Sequence, residues 1–384
     1  MRVALLSDIH SNHLALQAVL EHSKTQNVDN YWFVGDLVGY GPEPIIPVKW
    51  LVGELDDFPA PEAWVLGNHD AMLAELLLEG QSGLLVETAD NTNKVSEFDY
   101  PNDMVLLGDE EEWVNFTIKE RDEVGKSTDR ILYCGKSRTR FSKYFRWEDL
   151  GGVSSLIALE KNRIELCKEE ELNKAWQSQL TLDHVEPLEL HRNGVDFLLV
   201  HGGQISPLTR YIYVWQHEYL LRDEFDLLHN QAINRKFPRI QIFGHTHVPS
   251  FVKAKFDVEK ENYVYDEIFV YPDKTYSLLG ADDQFSLALV NPGSVGQPRD
   301  NNKQASYAVL DLEEKEITFF RVDYEFQRII QLLALKNYPS SLQERLLSAK
   351  IVKETPSQWI NHYQNFLLRI FQLKNRFLML LIHQ

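Results

Sequence analysis

Short apolar runs that end at a glycine or a polar residue recur in the first part of the chain. The earliest are residues 2–7, Tyr31–Val34 and Ala63–Leu66. Between them lie stretches with helical spacing, such as the face formed by Leu14, Ala18 and Val19. Strands that alternate with helices are typical of a largely parallel sheet that is buried on both faces.

The same pattern resumes after residue 190. Val195–Val200, Arg239–Phe243 and Phe285–Val290 are each followed by polar residues, and Ser306–Leu310 with Ile317–Val322 is typical of a closing antiparallel pair. Functional groups of parallel sheets lie at the carboxyl ends of the strands. We therefore expect the polar residues at those ends to form a site.

Two regions depart from this alternation. From about residue 80 to 175 the rhythm is lost, and we interpret the segment as an insertion or cap. It holds a basic and aromatic run over 136–147, which is either a lip that binds a nucleotide or an element with a solvated basic face.

The C-terminal tail has its own pattern, which predicts an amphipathic helix over 346–384. Apolar residues recur there at alternating steps of four and three: Trp359, Tyr363, Phe366, Ile370, Leu373, Phe377 and Leu380. Such a helix packs on its own domain, forms a homo-oligomer interface, or attaches to a membrane surface, and the sequence leaves these three open.

Composition narrows the class of protein. With 384 residues, of which 44% are hydrophobic, the chain can bury a sizeable core. The net charge of −18 disfavours stable binding of double-stranded nucleic acid and attachment to anionic lipid. Two cysteines, Cys134 and Cys167, exclude a disulfide framework, and the absence of a long apolar run near either end favours the cytoplasm.

Six short polar elements carry the chemistry. They are Asp8-x-His10, Gly35-Asp36, Gly67-Asn68-His69-Asp70, His201-Gly202, Gly244-His245-Thr246-His247 and Asn291–Gly296. Each one alone is a weak signal, but together they deliver Asp, His or Asn to the ends of five strands. Oxygen and imidazole donors without a thiolate suit Mn, Fe, Zn or a similar ion.

As an ordered set, these elements resemble the calcineurin-like metallophosphoesterase superfamily, in particular its bacterial phosphodiesterase branch. The resemblance rests on residues 8–12, 35–42 and 291–299, and it covers roughly 1–80 and 190–345. It implies an α/β fold, a four-layer αββα sandwich of two mixed sheets. The domain would span 1–345, interrupted by the insertion at about 80–175.

The resemblance also assigns roles to residues. Asp8, His10 and His247 would hold one divalent ion, Asn68, His201 and His245 a second ion, and Asp36 would bridge the two. Mn is the expected metal, with Fe, Zn, Ni and Co as alternatives. The implied nucleophile is a metal-bridging hydroxide, and His69 would act as a catalytic acid or hydrogen-bond donor.

For several residues near the candidate ligands, more than one role is left open. Asp70 either orients His69 or caps the following helix, and it is counted with the catalytic residues. Arg299 either contacts substrate phosphate or pairs with Asp300, while Tyr40 and Asn12 are further candidates for substrate binding. Gly203-Gln204 departs from the small residue and proline that the branch has after its His-Gly.

The predicted function is hydrolysis of phosphate esters by a dinuclear metal centre, with phosphodiesters as the expected substrates and nucleotides among them. The alternatives are a serine/threonine protein phosphatase of the same superfamily and a non-catalytic scaffold that keeps the fold.

Overall fold

The computed structural model of the protein describes residues 1–78, 85–87, 106–108, 113–121, 127–135, 153–214, 218–232, 237–268, 270–280 and 286–350. Within these ranges, no helix is long and apolar enough to cross a bilayer. The basic run 136–147 and residues 351–384 of the predicted tail helix lie outside the described residues.

The strands, in chain order, are β1 (Arg2–Leu6), β2 (Asn30–Phe33), β3 (Ala63–Trp64), β4 (Leu85–Glu87), β5 (Leu106–Gly108), β6 (Trp113–Arg121), β7 (Ser127–Gly135) and β8 (Leu188–Arg192). There follow β9 (Val195–Leu199), β10 (Arg239–Ile242), β11 (Ser250–Asp257), β12 (Asn262–Ile268), β13 (Lys274–Ser277), β14 (Leu287–Asn291), β15 (Ala305–Asp311) and β16 (Glu316–Val322).

The helices are α1 (His13–Thr25), α2 (Ile45–Val52), α3 (Asn68–Leu78), α4 (Val153–Lys168), α5 (Glu170–Gln179), α6 (Glu218–Ala232), α7 (Phe326–Leu335) and α8 (Ser340–Ser348).

Two mixed sheets of six strands each form the body of the protein. The first has the order β13-β16-β15-β1-β2-β3, and β1, β2 and β3 run parallel. The second has the order β12-β11-β14-β10-β9-β8, with β9, β10 and β14 parallel. The predicted pair β15 and β16 is antiparallel, as expected.

Alternation along the strands produces the layers. In β1, Val3 and Leu5 belong to the core between the two sheets, where Phe197 and Ile240 of the second sheet also lie. The intervening Ala4 and Leu6 belong to the core beneath the helices. The second sheet packs its other face on Phe225 and Leu228 of α6. The predicted four-layer sandwich is confirmed.

The region predicted as an insertion contains two different kinds of structure. Residues 85–135 include a separate antiparallel sheet of order β4-β7-β6-β5. In contrast, α4 and α5 bury Leu159, Leu166 and Trp176 in the same core as α1 and α3. Residues 153–175 therefore belong to the helical layer of the body, although the broken sequence rhythm grouped them with the insertion.

Candidate metal centre

The seven candidate ligands lie at one edge of the two sheets. Asp8 and His10 follow β1, Asp36 follows β2, and Asn68 begins α3 directly after the β3 loop. In the second sheet, His201 follows β9, and His245 with His247 follows β10. All seven are at most 5% exposed, so the chain has brought polar side chains from five segments into one buried cluster.

A first group contains Asp8, His10, Asp36 and His247, whose ligand atoms lie within 4.8 Å of one another. The Nε2 atoms of His10 and His247 are 3.2 Å apart. Asp8 Oδ1 is 3.3 Å from His247 Nε2, and Asp36 Oδ2 is 3.5 Å from His10 Nε2. These distances leave one small space that all four donors face.

A second group contains Asp36, His201 and His245, again within 4.8 Å of one another. His201 Nε2 lies 3.1 Å from His245 Nδ1, 3.1 Å from Asn68 Oδ1 and 3.4 Å from Asp36 Oδ2. Asn68 therefore completes this group with an amide oxygen. Asp36 belongs to both groups.

Backbone contacts fix which atoms face the centre. His10 Nδ1 lies 3.0 Å from Val38 O and His201 Nδ1 lies 2.8 Å from Val34 O, so each donates outward when neutral. His247 Nδ1 makes the corresponding contact to Gln297 O at 2.6 Å. The Nε2 atom of each imidazole is then a lone-pair donor that points inward, which is the arrangement that metal ligands require.

The clustered lone pairs need a positive charge. Neutral imidazoles oriented as described cannot hydrogen-bond to each other through two Nε2 lone pairs at 3.2 Å, as His10 and His247 would have to do. Burial lowers the pKa of His10, His245 and His247 well below its usual value, so all three are neutral. Uncharged imidazoles and carboxylates that converge in this way fit divalent cations.

His201 is the exception among the imidazoles. Burial opposes its charge, but the Asp36 carboxylate beside it raises the pKa of His201 to about 9. The neighbouring imidazoles in turn hold the pKa of Asp36 well below its usual value, although burial acts in the opposite direction. Without a metal ion, His201 is therefore protonated at neutral pH, and its positive charge lies beside Asp36, where a cation would bind.

The ligand loops have an unusual backbone conformation. Asp8, His10, Asp36, His245 and His247 have φ angles of 53°, 49°, 60°, 66° and 58°, the left-handed region that costs side-chain-bearing residues about 1–2 kcal/mol each. Five strained residues in one cluster are stable only because the surrounding structure holds them. Strain of this kind is concentrated at functional sites.

Two glycines make this close assembly possible. A Cβ atom on Gly67 would lie 2.1 Å from Asp36 Oδ1, and one on Gly244 would lie 1.9 Å from Ser7 Oγ. Gly67 and Gly244 are therefore required because any side chain at these positions would collide with the neighbouring loops, whatever turn the backbone makes.

His69 lies beside the centre. Its backbone N–H donates to Asp36 Oδ1 at 2.9 Å, which leaves Oδ2 to face the two groups. The His69 Nδ1 atom is buried and has no hydrogen-bond partner in the described part of the chain. Burial lowers the pKa of His69 to about 4, so its imidazole is neutral near pH 7.

Asp70 has a positioning role, and the geometry does not support its assignment as a catalytic residue. Its Oδ1 accepts from the N–H groups of Leu37 and Val38, and its Oδ2 accepts from Gly67 N–H at 3.0 Å. The carboxylate thus joins the Asp36 loop to the start of α3. The sequence left two alternatives open for Asp70. Its contacts are those of a residue that caps the helix, and it makes no contact that would orient His69.

Arg299 and Tyr40 lie together next to the ligands. Arg299 donates to Tyr40 Oη at 3.3 Å, and the Tyr40 ring packs on His10 and His69 with ring centres 4.4 and 4.5 Å apart. Arg299 does not pair with Asp300, because Asp300 forms its ion pair with Arg321. The partly exposed Arg299 guanidinium is thus held beside the centre by uncharged partners.

Asn12 differs from the expectation that it binds substrate. Its Oδ1 accepts from Ala15 N–H at 3.2 Å as the N-cap of α1, and its Nδ2 donates to Gly296 O at 2.9 Å. Both ends of the amide are engaged by the backbone. Asn12 therefore stabilises the fold around the β1 loop.

Tyr211 is a further residue of the centre that was not among the candidates predicted from the sequence. Its ring lies 3.9 Å from that of His245, and its hydroxyl is hydrogen-bonded to Arg299. Tyr211 follows His201 in an irregular segment, and no periodicity or motif marks it. The one available signal is its place in the loop after the predicted ligand His201, where an aromatic residue could be expected to lie near the centre.

The unusual Gly203-Gln204 pair anchors the His201 loop. Gln204 N–H donates to Glu224 Oε2 at 3.2 Å, and Gln204 Nε2 donates to Gln241 Oε1 at 2.7 Å. Gln204 is therefore directed towards α6 and β10, away from the ligands.

Comparison with known proteins identifies the family. The family model of the calcineurin-like phosphoesterase superfamily domain matches residues 1–315. The chain is 26% identical over 347 residues to MJ0912, an uncharacterized protein of Methanocaldococcus jannaschii, covering 90% of this chain and 96% of that protein.

Two solved structures have a similar fold. A metallophosphoesterase from Sphaerobacter thermophilus aligns with a TM-score of 0.54 at 23% identity, covering 91% of this chain and 99% of that one. The hypothetical protein PH1004 from Pyrococcus horikoshii aligns with a TM-score of 0.52 at 14% identity, covering 90% and 97%. Together with the match over residues 1–315, the two groups of candidate metal ligands lead to one conclusion: the chain belongs to the calcineurin-like phosphoesterase superfamily.

Proposed function

We propose that the protein is a dinuclear metal-dependent hydrolase of phosphate esters, with phosphodiesters as its substrates. The observation that carries the proposal is the position of Asp36. Its Oδ2 atom lies 3.5 Å from His10 Nε2 and 3.4 Å from His201 Nε2, so one carboxylate oxygen serves two groups of ligands. Two cations that share a carboxylate are typical of phosphoryl-transfer centres.

In this proposal, Asp8, His10 and His247 hold one cation, and Asn68, His201 and His245 hold the other. Mn²⁺ is the expected ion among those that suit oxygen and imidazole donors without sulfur, with Fe, Zn, Ni and Co as alternatives. When bound, two such cations supply the nucleophilic water and neutralise charge on the phosphoryl oxygens. The strained, buried ligand loops keep the donors preorganised for this.

The residues beside the ligands act on the substrate. His69 is neutral near pH 7, so its imidazole donates a hydrogen bond to a phosphoryl or leaving-group oxygen and carries no charge of its own. Arg299 contributes a fixed positive charge to bind the phosphate. Tyr40 holds Arg299 through its hydroxyl and packs against His69, so it orients both groups.

Phosphodiesters are favoured over monoesters for two reasons. The sequence motifs resemble those of the phosphodiesterase branch. In addition, the hydroxyls of Tyr40 and Tyr211 are both hydrogen-bonded to Arg299, so two aromatic rings lie beside the phosphate-binding cation, where they offer a surface for the second ester substituent of a diester, including a nucleotide.

Hydrolysis of bis-p-nitrophenyl phosphate and of p-nitrophenyl phosphate tests the proposal. Both substrates are assayed with added Mn²⁺, with EDTA, and with the Asp36→Asn variant. The expected result is preferential turnover of the diester that needs Mn²⁺ and falls about 10³-fold in the variant. Exposed Asp56→Asn is the matched control and should behave like the wild type.

Other outcomes contradict particular parts of the proposal. Preference for the monoester would favour a phosphatase, and phosphopeptides would be the next substrates. No turnover in a protein that binds two Mn²⁺ would contradict activity on simple diesters. No turnover and no bound Mn²⁺ would favour the non-catalytic scaffold.

A further inference from the structure

Asn162 lies in α4, within the segment that the sequence grouped with the insertion, yet it is fully buried beside the metal centre. Its Oδ1 accepts from Ser11 Oγ at 2.7 Å and from Gly39 N–H at 2.8 Å. Its Nδ2 donates to Gly41 O at 3.0 Å and to Tyr338 Oη at 3.1 Å. The amide therefore uses all four of its hydrogen bonds.

Three of these bonds reach the two loops next to the candidate ligands. Ser11 follows His10 directly, so one bond holds the β1 loop. Gly39 and Gly41 flank Tyr40, so two bonds hold the backbone on both sides of that ring. One side chain thus fixes the position of the Tyr40 loop relative to the loop that carries His10.

The Tyr40 loop has little freedom to move without affecting the centre. Gly39 has a φ of 109°, and a Cβ atom there would lie 2.5 Å from His69 Nδ1. The Tyr40 ring packs on His69, and its hydroxyl accepts from Arg299. A shift of this loop would displace the imidazole and the guanidinium together.

We propose that Asn162 is a positioning residue for the phosphate-binding side of the centre, acting through Tyr40 on His69 and Arg299. This inference rests on the proposed function, because it assumes that these two groups bind phosphate. None of the metal ligands accepts or donates a hydrogen bond to Asn162. Its loss should therefore weaken binding of phosphate esters while both metal sites remain.

The first variant is Asn162→Asp, which keeps the acceptor for Ser11 and Gly39. It replaces the donor to Gly41 with an oxygen that faces a carbonyl oxygen, so the Tyr40 loop is pushed away. We expect two Mn²⁺ per chain, as in the wild type, and a KM for bis-p-nitrophenyl phosphate that rises about tenfold with little change in kcat. The Kd of inorganic phosphate for the Mn²⁺-loaded protein should rise by a similar factor.

Tyr338→Phe is the matched control. It removes the fourth hydrogen bond of Asn162 and leaves the three bonds to the loops intact. The melting temperature should fall for both variants, but KM and the phosphate Kd should stay within about twofold of wild type in Tyr338→Phe. If Asn162→Asp does not fold, Asn162→Ser replaces it, because a serine side chain cannot span the two loops.

A double-mutant cycle separates positioning from a general effect on stability. In a Tyr40→Ala background, the loop has lost the ring through which Asn162 acts, so Asn162→Asp should change KM and the phosphate Kd by less than about twofold. An unchanged KM and phosphate Kd in Asn162→Asp would overturn the inference. The same loss in both backgrounds would also overturn it.

Failure of the proposed function is a different result. If the wild type hydrolyses neither ester but binds Mn²⁺ and phosphate, the phosphodiesterase proposal fails, and the phosphate titration of Asn162→Asp still decides the role of Asn162. If the Mn²⁺-loaded wild type binds no phosphate, both proposals fail.

Discussion

The two halves of the candidate metal centre use similar residues but carry different charge. The first half has the carboxylates of Asp8 and Asp36 beside its two imidazoles, whereas the second has Asp36 alone and the uncharged oxygen of Asn68. Attraction of a cation depends directly on the number of nearby negative charges. The two ions should therefore bind with unequal affinity, the first half being the tighter.

The halves also differ in how their imidazoles are held. His10 and His247 each contact a backbone carbonyl through Nδ1, which fixes both rings. His245 presents Nδ1 to the centre, and its buried Nε2 has no hydrogen-bond partner among the described residues. The ring of Tyr211 packs against it instead. Packing orients a ligand less strictly than a hydrogen bond, so His245 is the least rigidly held of the four imidazoles, while His201 is fixed by Val34 O.

Removal of one imidazole from each half should have the largest effect. His247→Ala and His245→Ala are each expected to lower diester turnover about 10³-fold, since both cations are needed. Metal content distinguishes them. His245→Ala should retain one tightly bound Mn²⁺ per chain after dialysis, whereas His247→Ala should retain less than one.

Mn²⁺ measured by elemental analysis after dialysis checks this prediction. His229→Ala, in α6 away from the centre, is the control and should keep the wild-type metal content. Equal retention of metal by the two ligand variants would contradict the inequality of the halves.

The sequence indicated where these candidate ligands lie, because each comes after a short apolar run, whereas their roles were implied by the family resemblance. Asp8, Asp36 and His201 are placed by β1, β2 and β9, whose apolar runs are visible in the sequence. The parallel direction of those strands then brings the residues to one edge. The order of the sheets and the strain at the ligands are long-range consequences and leave no local signal.

Residues that depend on distant contacts were not predictable. Asn162 lies in a helix whose partners, Gly39 and Tyr338, are far away along the chain. Asp70 could be assigned to either of two roles until its three backbone donors were known. Asn12 stands inside a recognisable motif, yet its amide is used by the fold.

The pH dependence of metal binding should distinguish the two halves. Burial and the nearby Asp36 raise the pKa of Asp8 to about 7, while His201 beside Asp36 has a pKa of about 9. A cation must displace these protons, so apparent affinity rises with pH until the group is deprotonated. We expect the apparent affinity for the first ion to increase little above about pH 7. The apparent affinity for the second ion should increase up to about 10²-fold between pH 7 and pH 9.

Calorimetric titration with Mn²⁺ at pH 6, 7, 8 and 9 measures both steps. Proton release, obtained by repeating each titration in buffers of different ionisation enthalpy, is the internal control. A second step whose affinity does not change above pH 7 would contradict the assignment of a raised pKa to His201.

Asn68→Asp should reduce the difference between the halves. The Asn68 amide oxygen lies 3.1 Å from His201 Nε2, and the substitution puts a carboxylate of nearly the same size in its place. The second Mn²⁺ should bind about tenfold more tightly at pH 8, because ligand charge increases affinity. The first step should change by less than about threefold, and the same titration measures both. A variant that tightens the two steps equally would show that the halves do not bind ions independently.

The smallest expected effect concerns the support of the second half. Glu224 accepts from Gln204 N–H and from Gln241, and it pairs with Arg210 at 2.8 Å, so it ties the His201 loop to α6. Burial raises the pKa of Glu224 above its usual value. For such a carboxyl, the protonated form stabilises the fold below the unfolded pKa of about 4.3, and this contribution is lost as pH rises through the folded value.

Glu224→Gln removes that titration. The free energy of unfolding of the wild type, relative to the variant, should therefore fall by about 1 kcal/mol as pH rises from 4.5 to 7, and urea unfolding of the metal-free proteins measures it. Asp223→Asn is the matched control, because Asp223 contacts the same Arg210 from an exposed position. A relative stability that rises with pH would mean that the ion pair to Arg210 outweighs burial, and the His201 loop would then be held by charge.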